Sequence, residues 1–130
     1  MLSSLVDDRS TRMGFDFERL DVYKRSVQFV LKVYELTEKF PPDELYGLTG
    51  QLRRAAVSIA TNIAEGSGRH HKRQHQQFLR MARSSSYECA PLLEVARGLG
   101  YLDVPTYDAL YKDCNELAMM LNRFITALSK

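Results

Sequence analysis

The sequence predicts an all-α protein, an antiparallel up-and-down four-helix bundle, and three observations carry that expectation. Apolar residues recur at helical spacing in four segments of about 16 to 28 residues. Short connections bearing proline or glycine separate them: "PPDELYGLTG", "EGSGR" and "GLGYLDVPT". No stretch alternates polar and apolar residues as a strand would. Connections this short set successive helices side by side. A chain of 130 residues is one domain's worth, long enough to bury roughly two thirds of the surface it exposes when unfolded. Its apolar fraction of 45% and charged fraction of 26% are those of a folded globular protein. Met1 to Gly14 has no sustained apolar period, so a flexible tail over residues 1–14 and a bundle domain over 15–130 are expected.

From Leu20 to Phe40, Val22, Phe29, Val33, Leu36 and Phe40 fall on one side of a helix, flanked by Tyr23, Val27, Val30 and Tyr34. That apolar arc covers roughly 200°, wider than the stripe a little over 100° that one neighbouring layer needs. The second segment, about Gly50 to Glu65, has the core row Leu52, Ala56, Ile59 and Ile63, with Val57, Ala60 and Ala64 as a second small strip. Gly66 and Gly68 end it. The third, about Lys72 to Leu99, aligns Phe78, Ala82, Ser85, Cys89, Leu92, Ala96 and Leu99, with Pro91 expected to kink it near Tyr87. The fourth, about Pro105 to Ser129, carries Leu110, Cys114, Leu117, Leu121, Ile125 and Leu128 on one stripe. The wide arcs on the first two helices predict self-association, because large apolar patches are rare on monomers.

Charge is concentrated in one segment. Between Gln51 and Arg83 the seven residues Arg53, Arg54, Arg69, Lys72, Arg73, Arg80 and Arg83 face one acid, Glu65, giving +6, so the rest of the chain carries −4 of the net +2. Placing cations at the start of the third helix opposes its macrodipole, which points to an anionic partner, RNA before DNA. Neither an aromatic RNA-reading motif nor a helix-turn-helix spacing accompanies the cluster.

The blocks "VYELTEKFP", "YGLTGQLRRAAVSI" and "NIAEGSGR", together with "FLRMARSSSYE", closely resemble the four-helix bundle proteins encoded in intervening sequences of bacterial 23S rRNA genes. The resemblance implies a small all-α subunit in a homo-oligomer, a pentamer, with a nucleic-acid-binding role and no established enzymatic activity. It also marks Gln51, Arg53, Arg54, Asn62, Glu65 and Gly66 as signature positions, most of them structural in character. Two departures stand out: Ser84, where the family tends to have glycine, and "CAPLLEVA" after Glu88.

Other chemistry is weakly signalled. His71 and His75 share the spacing of two imidazoles on one metal, yet no further ligands accompany them, so no metal or cofactor is expected. "EGSGRHH" lacks the G-K-[ST] of a phosphate loop and follows no strand. Cys89 and Cys114 fall on core stripes, far in sequence from any histidine base. With no convergent titratable set to name, the chain is expected to be noncatalytic. No run reaches the ~20 apolar residues that span a bilayer, and the cysteines lack CxxC spacing, so a cytoplasmic protein with reduced thiols and no membrane contact is expected. The alternative to nucleic acid binding is a scaffold module gripping a protein partner, its small-residue groove lying between the second and third helices.

Overall fold

The computed structural model describes residues 15–130, so the expected tail over 1–14 lies outside the described residues. Among the described residues the chain forms four α-helices and no strand: α1 (Asp21–Thr37), α2 (Leu48–Ser67), α3 (Lys72–Gly98) and α4 (Val104–Leu128). Two short 3-10 turns, Asp16–Arg19 and Pro42–Glu44, precede α1 and α2. The first of these had no signal in the apolar periodicity. It is anchored by aromatic contacts, Phe17 meeting the edge of Tyr23 at 4.8 Å between ring centres.

Each boundary has a local cause. α1 stops at Thr37, three residues before the expected end, where the Thr37 hydroxyl donates back to the Val33 carbonyl at 2.7 Å and Pro41–Pro42 forbids resumption. Phe40 is nevertheless buried, its ring lying against Tyr101. α2 starts beneath Glu44, whose carboxylate accepts from the Leu48 amide at 3.2 Å and from the Tyr101 hydroxyl at 2.9 Å. One acidic side chain thereby satisfies a free helix donor and ties α2 to the α3–α4 connection. Gly100, at φ +81°, closes α3: its amide donates to Arg97 and that of Tyr101 to Ala96, which is the Schellman pattern. Asp103 caps α4 by accepting from the Thr106 amide at 2.8 Å.

The core is a single cluster in which Phe29, Val33, Leu52, Ile59, Ile63, Leu79, Leu93, Leu117 and Leu121 are almost wholly buried. The α2–α3 face is the most extensive, followed by α3–α4, α1–α2 and then α1–α4. Gly66 makes the closest approach possible: a Cβ there would stand 2.8 Å from the Phe78 Cβ.

The buried row of α3 differs from the expected stripe. Ala82, Cys89 and Ala96 are buried as expected, but Leu79, Ser86 and Leu93 occupy the centre in place of Phe78, Ser85 and Leu92, and Leu99 is 55% exposed. The cause is that α3 has two neighbours. Ser85 faces α2, donating to Ser58 Oγ at 2.8 Å, while Ser86 faces α4, donating to the Cys114 carbonyl at 2.8 Å. The row expected from periodicity is therefore the edge toward α2, and the core lies between the two edges. Pro91 sits on the exposed side, and α3 continues through it as one helix.

Candidate nucleic-acid interface

The basic residues clustered in sequence divide into separate places in space. Arg53 and Arg54 lie in the first half of α2, whereas Arg69, Lys72 and Arg73 lie at the junction after α2's other end. At about 1.5 Å per residue the helical stretch from Arg53 to the end of α2 at Ser67 puts roughly 21 Å between the two groups.

Several of these cations are already engaged. Arg53 donates through Nε to Thr37 Oγ1 at 2.8 Å and lays its guanidinium 4.5 Å from the centre of the Tyr34 ring. Arg69 pairs with Glu65 at 3.0 Å and stacks over Phe78 at 4.7 Å. Arg83 donates to Asn122 Oδ1 at 2.7 Å, and Lys72 lies 3.4 Å from the Lys130 carbonyl, so both lean toward α4. Arg54, Arg73 and Arg80 are exposed, and no ion pair forms on them among the described residues. Of the seven cations only Arg69 meets a carboxylate, and these three have neither an ion pair nor a side-chain hydrogen bond among the described residues. Glu65 pairs with Arg69, four residues on, and not with Arg54.

The signature residues have structural work. Asn62 donates through Nδ2 to the Ser58 carbonyl at 2.9 Å and to Ser58 Oγ at 3.0 Å, and Ser58 Oγ in turn accepts from Ser85. That chain of polar groups fixes the register of α2 on α3. Gly66 supplies the close approach, and Gln51 is exposed. Beside the Asn62–Ser58–Ser85 chain runs a groove of about 290 Å³, which Gln77, Arg80, Met81 and Ser84 complete. Tyr87, outside the residues that the sequence nominates, is 58% exposed on the same helix.

His71 stands exposed at the start of α3 while His75 turns inward, its ring edge-on to Phe124 at 5.1 Å and its Nε2 buried without a hydrogen-bond partner among the described residues. Burial holds the His75 pKa below its ordinary value. The two imidazoles thus occupy different environments, and no group of three or more His, Cys, Asp or Glu side chains converges to hold a metal among the described residues. Cys89 and Cys114 are both buried, and the hydrogen bond with Cys114 together with burial pushes the Cys89 thiol well above the usual thiol range. A second cleft, about 220 Å³, opens between α1 and α4 over Phe29 and Leu117, rimmed by the pairs Arg25–Glu116 at 3.1 Å and Lys32–Asp113 at 2.8 Å. Its charges are balanced within the subunit. No helix among the described residues is long and apolar enough to cross a membrane.

Comparison with known proteins places these features in a family. The family model described as 23S rRNA-intervening sequence protein matches residues 18–123. A crystal structure of a protein of unknown function from the S23 ribosomal protein family of Bacteroides thetaiotaomicron superposes with a TM-score of 0.75 at 21% identity, covering 80% of this chain and 97% of that one. At that identity the likeness concerns the fold. No curated protein matches the chain.

Proposed function

This chain belongs to the 23S rRNA-intervening sequence protein family, and from that premise we propose that it is a noncatalytic, cytoplasmic nucleic-acid-binding protein that works as a homo-oligomer, RNA being preferred to DNA. The observation that carries the reading is the set of exposed, uncompensated guanidinium groups of Arg54, Arg73 and Arg80, in a segment where Glu65 is the one acid and is spent on Arg69. Each cation that meets a phosphate releases condensed counterions, which gives affinity without a base-reading motif. The thiols are core groups, and the raised pKa of Cys89 suits packing better than nucleophilic attack.

The bundle is proposed to run up and down, neighbours antiparallel. Arg25 meets Glu116 while the later Lys32 meets the earlier Asp113, and Gln76 donates to the Ile125 carbonyl while the later Ser86 meets the earlier Cys114. Assembly into a ring, a pentamer, is supported by the apolar side chains left on the surface: Leu31, Val95, Leu99, Val104 and Tyr111 are each more than 40% exposed. A ring repeats the basic segment on every subunit and strengthens its field.

Light scattering of the purified protein with a short structured RNA, at low and moderate salt, tests the reading. The expected result is an oligomer that gains RNA mass at low salt and releases it at moderate salt, with Arg73→Glu plus Arg80→Glu abolishing the gain. An oligomer that ignores RNA at both salt concentrations overturns nucleic acid binding and favours the protein-scaffold alternative.

A further inference from the structure

Arg73, Arg80 and Tyr87 recur every seven residues along α3. Seven residues are two turns less a 20° drift, so the three side chains form one row with steps of about 10.5 Å. On the helical wheel that row is opposite Ala82, Cys89 and Ala96, which are wholly buried, and no other helix among the described residues covers it: Arg73, Arg80 and Tyr87 are all exposed. The row begins at the positive end of the α3 dipole, beside Lys72. Seven residues past Tyr87 its next member is Glu94, so the positive character ends there.

From this row we infer that the outer face of α3 is a track for single-stranded nucleic acid, with Arg73 and Arg80 on backbone phosphates and Tyr87 stacked on an unpaired base. The inference rests on the nucleic-acid reading above and names the kind of strand. The groove beside Arg80 supports it, because its lining offers the Gln77 and Asn62 amides and the hydroxyls of Ser84 and Ser85 but no carboxylate. Such a lining accepts a phosphate or a ribose hydroxyl without electrostatic cost. Tyr87 decides between single and double strands. A ring gains stacking energy only from a base whose face is free, and inside a duplex both faces are already covered.

The test is fluorescence anisotropy of the full-length oligomer with a labelled short oligouridylate and with an RNA duplex of equal length. The oligouridylate is expected to bind more tightly than the duplex, to be released by added salt, and to lose affinity on the order of tenfold in Tyr87→Ala while Tyr87→Phe keeps it. Arg80→Glu is expected to abolish binding at moderate salt. Circular dichroism of each variant should match the parent, since all the altered side chains face solvent. Salt-sensitive binding that favours the duplex, or that is unchanged in Tyr87→Ala, overturns the single-strand track and leaves nucleic acid binding standing. Absence of binding to either probe overturns both.

Discussion

Ser86 and Cys114 exchange hydrogen bonds across the α3–α4 interface: Ser86 Oγ donates to the Cys114 carbonyl at 2.8 Å and Cys114 Sγ donates to the Ser86 carbonyl at 2.9 Å. Both side chains are buried, so the pair satisfies two polar side chains in the middle of an apolar core. Ser86→Ala is expected to lower unfolding stability by about 1–3 kcal/mol, the cost of removing a buried partner. Urea denaturation monitored by circular dichroism measures it, and an unchanged midpoint would show that the Ser86 hydroxyl bond contributes nothing.

Gly66 carries two opposed effects. Within a helix Gly→Ala ordinarily stabilises, by about 1 kcal/mol in the interior and less in a last turn such as Gly66's. Here the new methyl would meet the Phe78 Cβ at 2.8 Å, His75 Cδ2 at 3.1 Å and the His75 carbonyl at 3.3 Å. A Cβ and a carbonyl cannot swing aside, so the helices must part. Gly66→Ala is therefore expected to destabilise by about 1–3 kcal/mol despite the better propensity. A thermal midpoint at or above the parent's would refute the close approach.

His75 predicts a pH dependence. Its pKa is lowered in the folded state by burial and is near 6.5 when unfolded, so the unfolded chain binds the proton more readily. Stability is then fully present above about pH 7 and falls as pH drops through 6.5 toward the folded pKa. Chemical denaturation between pH 7.5 and about 5 should show this decline, and His75→Gln should flatten it. Equal slopes in the two proteins would remove His75 as the cause.

Arg53 and Arg54 are adjacent in sequence and differ in role. Arg53 bonds Thr37 and covers Tyr34, whereas Arg54 is exposed. Arg53→Ala is expected to cost about 1 kcal/mol of stability through the lost bond and cation–π contact. Arg54→Ala should leave stability within about 0.5 kcal/mol and weaken RNA retention instead. Paired melting curves and RNA pull-downs on the two variants check this, and a reversed pattern would assign the roles the other way.

The four helices were legible in the sequence because their causes are local: an apolar period, a proline that forbids a helix, a glycine that ends one. Gly66 and Asn62 were visible as signature positions, although nothing in the sequence says that one admits the Phe78 Cβ and the other holds Ser58. The inward row of α3 was not legible. Periodicity gives a helix one apolar direction, and α3 has two neighbours, so its buried centre lies between Ser85 on the α2 side and Ser86 on the α4 side. The charge cluster likewise came from composition, but which arginines are held in place by another side chain depends on partners distant in the chain, Thr37 for Arg53 and Asn122 for Arg83. The sequence by itself determined four helices and a basic segment, because backbone propensity and net charge are properties of short stretches. Only the tertiary structure decided which face of each helix is buried and which cations are spent, because both depend on side chains brought together by packing.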